Sequence, residues 1–75
     1  MKLEDFVQEF AEQFDDTPVE EFSPSTVYMD LEEWGSLVAL SIISIIDDEF
    51  DKRVTGADLK NVKTIEELYD LIQTK

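Results

Sequence analysis

Few side chains in this 75-residue chain are equipped for covalent chemistry. It contains no cysteine, which excludes a thiolate nucleophile, a disulfide frame and thiolate metal sites. It contains no histidine, which removes the commonest general base and the commonest transition-metal ligand. Hydroxyls and carboxylates remain, so chemistry served by this protein is expected to run on a group it carries. Ser36 stands apart among the hydroxyls. It follows Gly35, where a long irregular segment meets the most apolar stretch of the chain. Serine is a preferred N-cap, and satisfying an orphan N–H would be reason enough for it. The same position also suits modification, because N–H groups and the macrodipole at a helix start favour a phosphate. Ser41 and Ser44 have no base within reach and read as surface positions.

The elements that position Ser36 can be read from periodicity. Leu3, Phe6, Val7, Phe10, Ala11 and Phe14 share one helical sector, with Glu4, Asp5, Gln8, Glu9 and Glu12 opposite. This predicts an amphipathic helix over 3–14, ended by Asp15-Asp16-Thr17-Pro18. Residues 15–35 lack a period and hold Pro18 and Pro24, so a long loop is expected, with room for one helical turn. Val27, Tyr28, Met29, Leu31 and Trp34 should pin that loop across the helices.

A second helix is expected over 36–50. Val38, Ala39, Ile42, Ile43, Ile45, Ile46 and Phe50 fill a sector of roughly 160°, and Ser41, Ser44, Asp47, Asp48 and Asp51 lie opposite. Leu37 and Leu40 break the pattern by falling on the polar side. Burying them would bury Ser41, Ser44 and Asp48 beside them, at a cost of several kcal/mol if unpaired. They are therefore expected to be exposed and to mark a partner contact. A short turn around 57–60 would turn Leu59 inward. Thr64 and Glu67 form a capping box that starts a last helix, with Ile65, Leu68, Tyr69, Leu71 and Ile72 on one face. The expected fold is all-α: a small four-helix bundle of three main helices and one short one, forming a single domain over 1–75.

Composition narrows the partners. Nineteen Asp and Glu against six Lys and Arg give a net charge of −13, which repels nucleic acid and anionic membrane and attracts basic protein surfaces. Asp47, Asp48 and Asp51 would steer such a partner toward Leu37 and Leu40. With 43% hydrophobic residues and eight aromatics the chain should still fold. No EF-hand spacing is present, so no metal site is expected. The apolar stretch 37–46 is too short to span a bilayer, and no signal-peptide pattern follows Lys2. A cytoplasmic monomer without stable membrane association is the expectation.

Trp34-Gly35-Ser36-Leu37, heading an apolar helix that runs out through Asp47-Asp48-Glu49-Phe50-Asp51, resembles the acyl carrier proteins, and the likeness covers essentially the whole chain. It implies a helical bundle in which Ser36 bears a covalent 4′-phosphopantetheine arm derived from CoA. The arm's thiol would hold acyl groups as thioesters and present them to enzymes of fatty acid or related lipid and polyketide synthesis. The protein itself would be non-catalytic. Implied partners are a phosphopantetheinyl transferase and acyl-handling enzymes with basic docking patches, meeting Leu37, Leu40, Ser41, Ser44, Asp47, Asp48 and Asp51. The resemblance further implies that an acyl chain can enter the bundle among Ile42, Ile43, Ile45, Ile46, Leu59, Leu68 and Tyr69. The family motif is Asp-Ser-Leu, whereas this chain has Gly35, and in the family that aspartate helps the transferase dock. An aminoacyl or peptidyl carrier, and an unmodified acidic helical adaptor, are the alternative readings.

Overall fold

The computed structural model describes all of residues 1–75 and contains four α-helices and two 3₁₀ turns. Helix α1 spans Leu3–Ala11, α2 Ser36–Phe50, α3 Gly56–Asn61 and α4 Ile65–Gln73. The only β-type pairing is an isolated bridge between Val27 and Thr64.

Thirteen apolar side chains form one core, supplied by every helix and by the long connection. Phe6 and Phe10 of α1 meet Ile42 and Ile46 of α2, Leu59 of α3, and Ile65, Leu68 and Ile72 of α4, all at most 2% exposed. Aromatic pairs organise one end of it: Phe10 lies against Phe14, Phe22, Tyr28 and Trp34, with ring centroids 5.5–6.4 Å apart. No polar or charged residue is buried.

Helix α1 is shorter than its periodicity predicts. The α-helix ends at Ala11, and the N–H groups of Gln13 and Phe14 donate to the carbonyls of Phe10 and Ala11 in a tighter turn. Phe14 is still buried, so the apolar pattern carries on past the helix that it suggests. The long connection contains two helical turns rather than one, Val19–Glu21 and Tyr28–Asp30. Its middle docks onto the start of α4, where the Ile65 and Glu66 N–H groups donate to the carbonyls of Thr26 and Pro24 at 3.2 and 2.9 Å. Tyr28 is fully buried, and its hydroxyl donates to the carbonyls of Leu59 and Val62, fastening the loop to α3. Burial, reinforced by the charge of Glu67, pushes its pKa to about 12. Val27 departs from expectation: it is exposed, because its backbone pairs with Thr64 and its side chain faces outward.

Capping boxes start both C-terminal helices. Thr64 and Glu67 form the expected one. Thr55 and Asp58 form a second, which places the start of α3 at Gly56. No helix is long and apolar enough to cross a membrane.

Candidate functional site

The site is built around the first turn of α2. Ser36 is the first helical residue and Gly35 is the N-cap, so the expectation of Ser36 as N-cap is one position off. No side chain caps α2. The Ser36 hydroxyl is exposed and hydrogen-bonds to no other group of the protein. Freed from capping, it is exposed, and no base of this chain hydrogen-bonds to it. Gly35 is extended, at φ −174° and ψ −174°, and nothing lies within 4 Å of where a Cβ would stand. Neither backbone nor space therefore requires glycine there.

The approach to Ser36 is fixed by Glu33. One oxygen of its carboxylate accepts the Asp15 N–H at 2.7 Å. The other accepts the N–H groups of Asp16 and Thr17, both at 3.0 Å, and the Thr17 hydroxyl at 2.8 Å. Consecutive N–H groups converging on one carboxylate form an anion-binding concavity. These bonds, led by the Thr17 hydroxyl, hold the Glu33 pKa below its ordinary value. The turn after α1 is thereby tied to the segment that delivers Ser36.

Beyond Ser36, Leu37 and Leu40 are 82% and 62% exposed, as their wheel positions require. Asp47, Asp48 and Asp51, toward the far end of the same helix, are exposed, and so is Ser44. Ser41 is half-buried, and its Oγ donates back to the Leu37 carbonyl at 3.2 Å. Asp51 ends α2 in the left-handed conformation (φ 54°), with its N–H on the Asp47 carbonyl. No group of three or more carboxylates is arranged to hold a metal ion. The acidic surface is almost unpaired: the one salt bridge joins Lys75 to Asp58 at 3.1 Å.

A hollow of about 520 Å³ opens beside Ser36 between α2 and α3. Met29, Trp34, Ala39, Leu40, Ile43 and Leu59 supply its apolar lining. Of the seven residues expected around an acyl space, only Ile43 and Leu59 border it. Ile42, Ile46 and Leu68 are sealed in the core. Ile45 is half-buried and outside the core cluster, because it lies at the polar edge of the α2 sector. Tyr69 packs on Phe6 and Phe50, and its hydroxyl is held by the Met1 carbonyl, away from this opening. Met29 and Trp34 come from the long connection, and only the docked loop brings them to the hollow.

An exposed, unbonded hydroxyl at a helix start, bordered by an apolar hollow, fits a group attached through a phosphate. In the comparison with known families, a model described as phosphopantetheine attachment site matches residues 4–72, all but three residues at each end. No curated protein and no solved structure gives a significant match. That match covers most of the chain and the all-α fold is consistent with it: this chain belongs to the phosphopantetheine attachment site family of carrier domains, whose members carry a covalently attached 4′-phosphopantetheine.

Proposed function

We propose that Ser36 is the attachment residue and that the chain, as one carrier domain, carries acyl groups for cytoplasmic enzymes of fatty acid or related lipid and polyketide synthesis. One observation carries the proposal. The Ser36 hydroxyl is exposed, fixed on the first turn of α2 and committed to no hydrogen bond. When attached, the arm supplies a thiol that holds the cargo as a thioester. This chain's own residues present and steer. The Glu33 latch ties the segment entering α2, and with it the backbone of Ser36, to the turn after α1. In the transfer the Ser36 oxygen bonds to the phosphorus of the pantetheine phosphate as the pyrophosphate bond of CoA breaks and adenosine 3′,5′-bisphosphate leaves. No group of this chain hydrogen-bonds to the hydroxyl, so the transferase brings the base that takes its proton. Leu37 and Leu40 give that enzyme, and later partners, an apolar contact. Asp47, Asp48 and Asp51 attract basic docking patches over a Debye length of about 8 Å at physiological salt.

Acyl rather than aminoacyl cargo is supported by the hollow beside Ser36. Its lining is mostly apolar and contains no carboxylate that would pair with an ammonium group. Gly35, standing where the family has aspartate, favours the unmodified adaptor as the second reading. Treating the protein with a broad-specificity transferase and CoA separates the two. Intact mass should show one added arm, and none in Ser36→Ala. Loading the product enzymatically with fatty acyl groups and, separately, with amino acids then tests the cargo. Retention of aminoacyl groups alone would overturn the acyl assignment.

A further inference from the structure

Ser36 borders two hollows whose charged residues are of opposite sign. The one between α2 and α3 is mostly apolar, and Lys60, near the end of α3, is the single charged side chain in its lining. Lys60 is exposed and has no carboxylate partner, since the one salt bridge belongs to Lys75. The other, of about 470 Å³, lies toward α1 and the loop and is bordered by Gln13, by the acidic residues Asp15 and Glu33, and by Leu37 and Val38 of α2. A phosphodiester on Ser36 is an anion placed between them. Both hollows offer the arm some apolar surface, the second through Leu37 and Val38, so charge separates them: the anion is repelled by Asp15 and Glu33 and attracted by Lys60.

We infer that Lys60 pairs with the phosphodiester of the arm and thereby lays the arm in the α2–α3 hollow, away from Asp15 and Glu33. This rests on Ser36 being the attachment residue. Lys60 is a positioning residue: it is exposed, so the pairing is open to solvent and ionic screening. At 1 M salt the Debye length shrinks to about 3 Å, and the bias toward this side should fade.

The test uses ¹⁵N-labelled protein carrying the arm, with intact mass first confirming one arm per chain. Failure at that step refutes the Ser36 assignment rather than the role of Lys60. Amide spectra before and after attachment are then compared for the natural chain, Lys60→Gln and Lys60→Arg. The unmodified spectra of the variants check that the fold is intact. Attachment should shift Met29, Ile43, Gly56 and Leu59 in the natural chain. Those shifts should fall at least twofold in Lys60→Gln and in 1 M NaCl, and should persist in Lys60→Arg. The ³¹P resonance of the phosphodiester should move in Lys60→Gln alone. Equal shifts in the natural chain and Lys60→Gln, or shifts concentrated on Gln13, Asp15 and Ser41, would overturn the inference.

Discussion

Replacing Gly35 by aspartate asks whether α2 is under-capped and whether the glycine has a structural purpose. The position is extended and empty around its Cβ, so the carboxylate enters without strain. Three effects favour it. As an N-cap, aspartate exceeds glycine by a few tenths of a kcal/mol. Its charge at a helix start contributes roughly 0.3–1 kcal/mol and overlaps with the capping gain. Removing a glycine from the unfolded ensemble contributes about 0.4–1 kcal/mol. Against these stands the growth of an already large net negative charge, with Asp30, Glu32 and Glu33 nearby in sequence. The balance is about 1 kcal/mol of stabilisation, equivalent to a rise of about 4–8 °C in Tm for a domain of this size. Gly35→Ala is the control, because it shares the entropic gain and lacks the cap. Thermal and urea unfolding of the unmodified proteins should rank Asp above Ala by about 1 kcal/mol. Aspartate and alanine variants that melt together would refute the capping argument. If, as the family resemblance implies, an aspartate here also helps the transferase dock, kcat/KM for arm transfer should rise in Gly35→Asp.

Four further outcomes follow from the structure. The pKa of Glu33 is depressed by the hydrogen bonds it accepts, so its stabilisation is complete above the ordinary glutamate range and is lost as pH falls through the lowered value. Glu33→Gln should therefore be less stable than the natural chain at pH 7, with the gap closing on acidification; a gap constant from pH 7 to 3 would mean that ionisation of Glu33 contributes nothing to the latch. Tyr28→Phe leaves two carbonyls without their donor and should cost about 1–3 kcal/mol in urea unfolding, and a neutral effect would remove Tyr28 as the tie between loop and α3. Leu37→Ala should change stability by no more than about 0.5 kcal/mol while weakening transferase binding, whereas Ile46→Ala, at a fully buried position, should cost about 2–5 kcal/mol. With nineteen acidic residues and a single salt bridge, Tm should climb with NaCl and more steeply with Mg²⁺; a melt indifferent to salt would contradict the self-repulsion.

Where local rules govern, the sequence was legible. Helix α2 has the bounds expected of it, because seven apolar residues fill one sector and Gly35 and Asp51 stand just outside. The misplaced Leu37 and Leu40 are exposed for the reason their wheel positions implied. The start of α4 follows from its capping box. The Thr55–Asp58 box was equally available in the sequence and would have fixed the start of α3. Tertiary features were not legible. Glu33 reaches back across 16–18 residues to the N–H groups after α1, and no local pattern announces such a bond. Phe14 continues the α1 periodicity from a tight turn, so apolar spacing alone overestimates that helix. The hollow beside Ser36 draws on Met29 and Trp34, which only the docked loop brings to α2 and α3.

The central claim is that the Ser36 oxygen bears the arm. Site-localising fragmentation of the transferase-treated protein tests it directly, since Ser23, Ser25, Ser41 and Ser44 offer competing hydroxyls in the same chain. The account predicts the whole adduct on Ser36, in the peptide containing Gly35 and Leu37, and an unmodified chain for Ser36→Ala. An adduct on another serine, or none under conditions that modify a reference carrier to completion, would contradict it.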